Sequence, residues 1–487
     1  MAESQADHTG YPFLVNFGFV IDNRKCIGCH ACTIACKSEH DVPIGVNRTH
    51  VKYIEKGHYP DVTREFSVHR CNHCEDSPCT TICPTTALFN REDGIVDFDD
   101  DRCIGCKSCM QACPYDALYI DPNKGTAAKC NYCAHRIEHS YEPACVIVCP
   151  TEAIVSGDLD DQNSSISGYL RNHDTTVRKP ESGAKPNLFY IETSQDMLDP
   201  HATERTGEYL WTDQAAGVGH YAKYAEQRIG ASDTNSMIVQ LALEKKARAA
   251  NPRDKAIIHD VMERLEIQSK RPKRSYDQPS KGVLWGWEVS AYITTKAIAS
   301  GTYLIAMIAM FAGILEMTDE LWWKLIIGCT TFLGITGILL IMDLDRPERF
   351  VYVLLRPNFS SWLVRGAIFL SGFGGILALS GLILFFDLER IYLEYLAIAG
   401  IPLSALTGVY TAWLFAQAKG RSWSRDKWLT AKMSFETLVA GFAGTLMLTA
   451  TVTANDMLNW IIAIIMCSWV IIHGHKAVRE PQLETLH

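Results

Sequence analysis

Residues 26–36 read CIGCHACTIAC. The string Cys26-Ile27-Gly28-Cys29-His30 admits two readings. CxxCH is the signature of covalent haem attachment, and it also opens cysteine runs that hold an iron–sulfur cluster. The rest of the cysteines decide between them. The first quartet is Cys26, Cys29, Cys32 and Cys36, spaced C-x2-C-x2-C-x3-C. Cys71, Cys74, Cys79 and Cys83 follow as C-x2-C-x4-C-x3-C. Cys103, Cys106, Cys109 and Cys113 repeat the first spacing, and Cys130, Cys133, Cys145 and Cys149 read C-x2-C-x11-C-x3-C. The last three quartets end in Cys-Pro, at Pro84, Pro114 and Pro150. Three cysteines two residues apart wrap one face of an iron–sulfur cubane, and the fourth, before proline, reaches the other cluster of a pair. Sixteen thiols in this pattern predict four [4Fe-4S] clusters. Cys26 and Cys29 are then needed for iron, and His30 is incidental. Zinc also accepts CxxC pairs and secreted domains use dense disulfides, but neither accounts for four complete quartets.

The chain has 487 residues, 18 cysteines and a formal charge of -9. Beyond Cys149 only Cys329 and Cys467 remain, so the 47% hydrophobic content averages two unlike halves. No nucleic-acid partner is expected. The start, MAESQADHTGYPFLVNFGFVIDNRKC, has neither a basic region followed by an apolar run nor a twin-arginine pair. This chain is therefore expected to carry no export signal of its own, although a partner could carry one for both. Residues 156–280 are polar. Helical periodicity shows at 236–249, after the capping candidates Asp233 and Thr234, and again at 254–267 after Pro252. Two amphipathic helices packed on a neighbour explain it. Apolar runs then follow near 289–316, 321–342, 361–386, 393–418, 435–453 and 457–473. The long ones meet the roughly 20-residue requirement for crossing a bilayer, and six are too many for a buried soluble core.

Charge orients the runs. Lys270, Arg271, Lys273, Arg274 and Lys281 precede the first. Arg346, Arg349 and Arg356 lie between the second and third, and Lys419, Arg421, Arg425, Lys427 and Lys432 between the fourth and fifth. The opposite loops carry Glu316, Asp319, Glu320, Asp387, Glu389 and Asp456. The positive-inside rule puts both termini and the cysteine-rich domain on the cytoplasmic side of the inner membrane. A basic face that docks an acidic cluster domain is a second cause of the same bias.

The strings CNHCEDSPCTTICPTTAL (71–88), DRCIGCKSCMQACPYDAL (101–118) and KPESGAKPNLFYI (179–191) resemble the four-cluster ferredoxin subunits of molybdopterin oxidoreductases, of the dimethyl sulfoxide, polysulfide and Nrf reductase type. The resemblance runs from about Phe19 to Ile191. With the nested spacing it implies that quartet one shares its clusters with quartet four, and two with three. The implied sets are Cys26, Cys29, Cys32 and Cys149; Cys36, Cys130, Cys133 and Cys145; Cys71, Cys74, Cys79 and Cys113; and Cys83, Cys103, Cys106 and Cys109. The strings WGWEVSAYITTKAIASGTYL (285–304), DLDRPERFVYVLLRPNFSSWLVRGA (343–367) and GIPLSALTGVYTAWLFAQAKGRSW (400–423) resemble the NrfD/polysulfide-reductase membrane anchors, which exchange electrons with quinone. That family commonly has eight or more spans against the six counted here, so late helices are either absent or supplied by another subunit.

Quinone chemistry needs two electrons and two protons at one place, at the cluster-side ends of the helices. Tyr292, Lys296, Asp343, Arg346 and Glu436 are the candidate quinone or proton contacts. Ionisable groups inside spans are costly and face a cavity or a partner, and Lys296 and Glu436 are the deepest. Belt tyrosine, snorkelling lysine and headgroup arginine are the plainer readings. The expected fold is two-part: an α+β double ferredoxin-like iron–sulfur domain (1–191), a polar linker (192–284) and an all-α polytopic membrane bundle (285–487). The expected role is an electron-transfer and anchor subunit between the quinone pool and a separate molybdopterin-containing catalytic subunit, for which no chain length remains here. Membership of a larger proton-translocating complex with further membrane or cytochrome subunits stays open, with Lys296, Asp343 and Glu436 carrying protons. So does a purely structural anchor.

Overall fold

A computed structural model of the chain describes residues 15–58, 61–200, 203–205, 272–277, 281, 284–450 and 457–483. The helices expected at 236–249 and 254–267 lie outside these residues. The cysteine-rich half is α+β. Its central strand, Phe17–Asp22, is apolar and buried from Gly18 onward. It pairs antiparallel with Ile154–Asp158 and parallel with Leu188–Ile191, with Thr175–Thr176 on the far edge. The first and last segments of the domain are thereby closed against each other. A long hairpin, Thr49–His58 and Asp61–Arg70, forms a second sheet. Lys273–Tyr276, from the stretch expected as linker, joins this sheet antiparallel to Thr49–His58, and Glu204–Arg205 pairs with it in turn. A buried charge group holds that strand: Lys52 and Arg274 bind the Asp277 carboxylate at 3.0 and 2.8 Å. Buried ions are kept only when paired in this way.

Short helices bring the thiols in. Ala31–Glu39, Pro78–Ile82, Ser108–Ala112, Ala134–Ile137 and Ala144–Ile147 each contain or directly follow cysteines. The two CIGC turns have the same left-handed bend: Gly28 and Gly105 both have φ 69, a conformation that glycine adopts without steric cost.

The C-terminal half is helical: α1 (Trp287–Phe311), α2 (Asp319–Met342), α3 (Trp362–Phe385), α4 (Ile391–Gln417), α5 (Leu429–Thr449) and α6 (Met457–Leu483). Among the described residues, α1 to α4 are long and apolar enough to cross a membrane. Ile327, Ile335 and Ile338 on α2 and Leu379 and Leu382 on α3 are exposed, as side chains facing lipid are. The helices do not coincide with the apolar runs. α1 stops at Phe311, short of the run ending at 316, because Gly313 turns to φ 70 and the Ile314 amide bonds back to the Ala309 carbonyl. α5 starts at Leu429, six residues before its run, since its first turns are polar. α4 continues through Pro402.

Small residues let α1 and α5 touch. The Gly301 and Gly441 backbones face one another, and Gly444 accommodates Thr302. A Cβ on Gly301 would collide with the Thr437 carbonyl and the Gly441 backbone. Gly301→Leu is therefore expected to lower the thermal unfolding midpoint in detergent, by overpacking that costs roughly 1–3 kcal/mol.

Candidate functional site

The sixteen thiols gather in four groups. Cys26 neighbours Cys29, Cys32 and Cys149. Cys36 neighbours Cys130, Cys133 and Cys145. Cys74 neighbours Cys71, Cys79 and Cys113, and Cys109 neighbours Cys83, Cys103 and Cys106. Membership matches the sets implied by the resemblance together with the nested spacing. The groups stand in a row, because Cys32 lies by Cys145, Cys130 by Cys71 and Cys109 by Cys79. Cys29 at one end is exposed.

The donors fit iron–sulfur clusters. Burial pushes Cys32, Cys106 and Cys133 up to about 12, so the protein alone does not sustain thiolates there, whereas metal ligation deprotonates a thiol outright. Among the described residues no three Cys, His, Asp or Glu side chains stand close enough together to hold a single metal ion. The quartets are open cradles. Amide N–H groups point at the sulfurs, Ala153 to Cys149 at 3.2 Å and Ala127 to Cys103 at 3.3 Å, and His40 Nε2 lies 3.2 Å from Cys133 Sγ. Such bonds tune cluster potentials. His30, the histidine of the CxxCH string, packs its ring on Tyr53 and Tyr276.

The group of Cys83, Cys103, Cys106 and Cys109 sits on the helical half. Trp285 Nε1 donates to the Cys106 carbonyl (3.2 Å), Arg349 to the Cys103 and Asp100 carbonyls (3.1 and 2.6 Å), and Asn358 Nδ2 to the Cys83 carbonyl (2.7 Å). Ser361 donates to the Ile82 carbonyl (2.7 Å), and Lys107 pairs with Asp345 (3.1 Å). Trp285, Phe415 and Trp423 stack beside this contact, with centroids 4.4–5.7 Å apart. Asn358→Ala leaves carbonyls at the joint without a donor. It is expected to cost about 1–3 kcal/mol, seen as a lower unfolding midpoint with unchanged iron content.

Behind the joint lies a cavity of about 280 Å³ between α1, α2, α3 and α4. Cys106 and Ser108 form its wall on the cysteine-rich side; Tyr292, Asp343, Ser371 and Tyr410 are polar groups of the helical side. Of the five residues singled out in the sequence, Tyr292 and Asp343 line it. Lys296 does not: it is fully buried one turn deeper, its ammonium 4.2 Å over the Tyr410 ring and bonded to the Thr411 hydroxyl. Glu436, also buried, faces Lys296 from α5. Arg346 is in the joint instead, donating to the Lys124 carbonyl at 2.6 Å and pairing with Glu348. The turn after Asp343 folds back onto the CIGC loop, with the Arg346 amide on the Ile104 carbonyl, and this carries Arg346 away from the cavity.

Sequence reasoning missed Tyr410, whose place depends on packing between helices. It also missed a pattern that was legible: a basic residue directly precedes each quartet, at Lys25, Arg70, Arg102 and Lys129. Arg70 and Lys129 are fully buried.

Four cysteine cradles on a bundle of apolar helices define a membrane-bound iron–sulfur protein. A 4Fe-4S dicluster domain model matches residues 62–159, and a polysulphide reductase NrfD model matches residues 277–459. A polysulfide reductase chain of Wolinella succinogenes is 44% identical over 186 residues, covering 38% of this chain and 97% of that protein. A tetrathionate reductase subunit of Salmonella typhimurium is 41% identical, covering 42% of this chain and 83% of that protein. A putative dimethyl sulfoxide reductase iron-sulfur subunit of Halobacterium salinarum is 36% identical, over 42% of this chain and 89% of that protein. The chain belongs to this family of reductase iron–sulfur subunits, and it carries an NrfD domain in the same polypeptide.

Proposed function

We propose that this chain passes electrons between the quinone pool and a separate catalytic subunit, and anchors that subunit to the membrane. The sixteen quartet cysteines would hold four [4Fe-4S] clusters, which supply one-electron transfer. The observation that carries the reading is the cavity: Cys106 of the membrane-side quartet shares its wall with Tyr292 and Asp343. Quinol oxidation releases two electrons and two protons. A cysteine of the electron-accepting group and a half-buried carboxyl meet there at one apolar site of quinone-ring size. Tyr292 and Tyr410 offer hydroxyls for the ring oxygens, and Asp343 holds or accepts a proton. The reductase names of the relatives support a separate catalytic partner, and the resemblance to molybdopterin oxidoreductase subunits is the reason to expect molybdopterin in it. Purification in mild detergent with metal analysis tests this: a co-purifying large subunit with stoichiometric molybdenum or tungsten is expected. Companions without either metal would overturn that part.

A second reading rests on Lys296 and Glu436, buried in the bundle beyond the cavity wall. In a proton-translocating complex they would carry protons inward from Tyr410. A proton gradient formed during turnover in liposomes would favour it.

For the side of the membrane, the basic bias has two causes. Lys281, Arg346, Arg349 and Arg421 are bound to Asp116, Lys124, Asp100 and Gln111 of the cysteine-rich domain. Arg356 and Lys432 stay within the helical half, against Tyr352 and Asp426. They support the cytoplasmic placement, which reporter fusions at the carboxy terminus test.

A further inference from the structure

We infer that Arg70 and Lys129 are positioning residues of the electron path: fixed cations, each set between two successive cysteine quartets, that raise the reduction potentials on both sides. The inference rests on the four-cluster reading above. Arg70 ends the strand Asp61–Arg70 and is 1% exposed. Its Nη1 donates to Cys145 Sγ at 3.0 Å, and its guanidinium lies 4.7 Å over the Phe19 ring. Its charge acts on Cys32 of the outermost quartet and on Cys130 and Cys145 of the next. Among the described residues no carboxylate is bonded to it, and Nε and Nη2 are buried without a hydrogen-bond partner. A buried guanidinium with orphaned donors is expensive. It is stabilised where negative charge stands among the thiols it faces.

Lys129 repeats the arrangement one junction further on. It is fully buried, bonded to the Val96 and Cys130 carbonyls. Its charge reaches Cys130 on one side and Cys71, Cys74 and Cys79 on the other. The other two basic residues that precede quartets are engaged elsewhere: Lys25 with the Tyr169 hydroxyl at 2.9 Å and Arg102 with Asp99 at 2.9 Å. Of these four cations the two that are fully buried thus stand at two of the three junctions, Cys32–Cys145 and Cys130–Cys71. Reduction adds negative charge, so a fixed cation in low dielectric favours the reduced form. One cation shared by two neighbours lifts both together and keeps the step between them small.

Redox titration of the purified full-length protein, followed by electron paramagnetic resonance and with iron quantified on each sample, tests this. In Arg70→Gln, two of the four midpoints are expected to fall, each by a tenfold change in the reduction equilibrium or more, which is 59 mV for one electron. In Arg70→Lys, which keeps the charge, both are expected to return toward the parent values. Unmoved midpoints, or four that move together, would overturn the inference. A shift confined to one midpoint would reduce Arg70 to a hydrogen-bond donor and overturn the bridging role. Should Arg70→Gln lose iron, Lys129→Gln takes its place with the same two-midpoint expectation and the same contrary results. Iron short of four atoms per quartet in the parent protein would instead fail the four-cluster reading.

Discussion

Cys106→Ala is expected to reduce quinone-linked electron transfer to background while leaving three of the four cysteine groups loaded. Cys106 belongs to the group that rests on the helical half, and it is also part of the cavity wall. Its backbone carbonyl takes the Trp285 indole N–H. Among the described residues no other cysteine lines that cavity. Losing it removes the group next to the proposed quinone site and nothing beyond. Reduction of the remaining groups by a small soluble donor should persist. Cys29→Ala, at the exposed far end, gives the converse: quinone still exchanges electrons with the protein, but delivery to the catalytic partner stops. Anaerobic stopped-flow with a soluble quinol analogue, beside iron analysis, separates the two outcomes.

Asp343→Asn is expected to slow quinol oxidation roughly 10²–10⁴-fold, the usual worth of a positioned acid–base group. Asp343 is the first residue beyond α2. Burial raises its carboxyl to about 7, and Glu288 and Asp345 add to the rise while Lys107 opposes it. Below about pH 7 the group is protonated, and above it is a carboxylate. Quinol oxidation needs a proton acceptor, so its rate should climb with pH through about 7 and then level. Quinone reduction needs a donor and should fall across the same range. The Asn variant loses the inflection, and Asp343→Glu keeps it. An Asn variant with the parent pH profile would remove Asp343 from the chemistry.

The residues that were legible in the sequence share one property: their signal is local. Cysteine spacing marks the quartets, with the distant member of each group supplied by the family resemblance, and an apolar run marks a helix that must be buried or lipid-covered. Helix ends were less legible, because polar turns at α5 extend the helix past the run and Gly313 cuts α1 short of it. Beyond the cysteine sets, contacts between distant segments were not legible. Lys273–Tyr276 pairs with a strand more than 200 residues earlier. Arg346 looked like a headgroup or quinone residue and is instead a docking residue, since only the fold shows the CIGC loop beneath it. Lys296 and Tyr410 lie on different helices, and their ring contact depends on the α1–α4 packing. The basic residue before each quartet was visible but carried no meaning until burial separated Arg70 and Lys129 from Lys25 and Arg102.

Electron exchange with quinone is measured on the iron-loaded, chemically reduced protein in detergent, mixed anaerobically with a soluble quinone analogue. The reduced protein is expected to be oxidised in step with quinol formation, one quinol for every two electrons lost, and Cys106→Ala to abolish this. A parent protein with its full iron that stays reduced in the presence of quinone would contradict it, and would leave the helical half as an anchor alone.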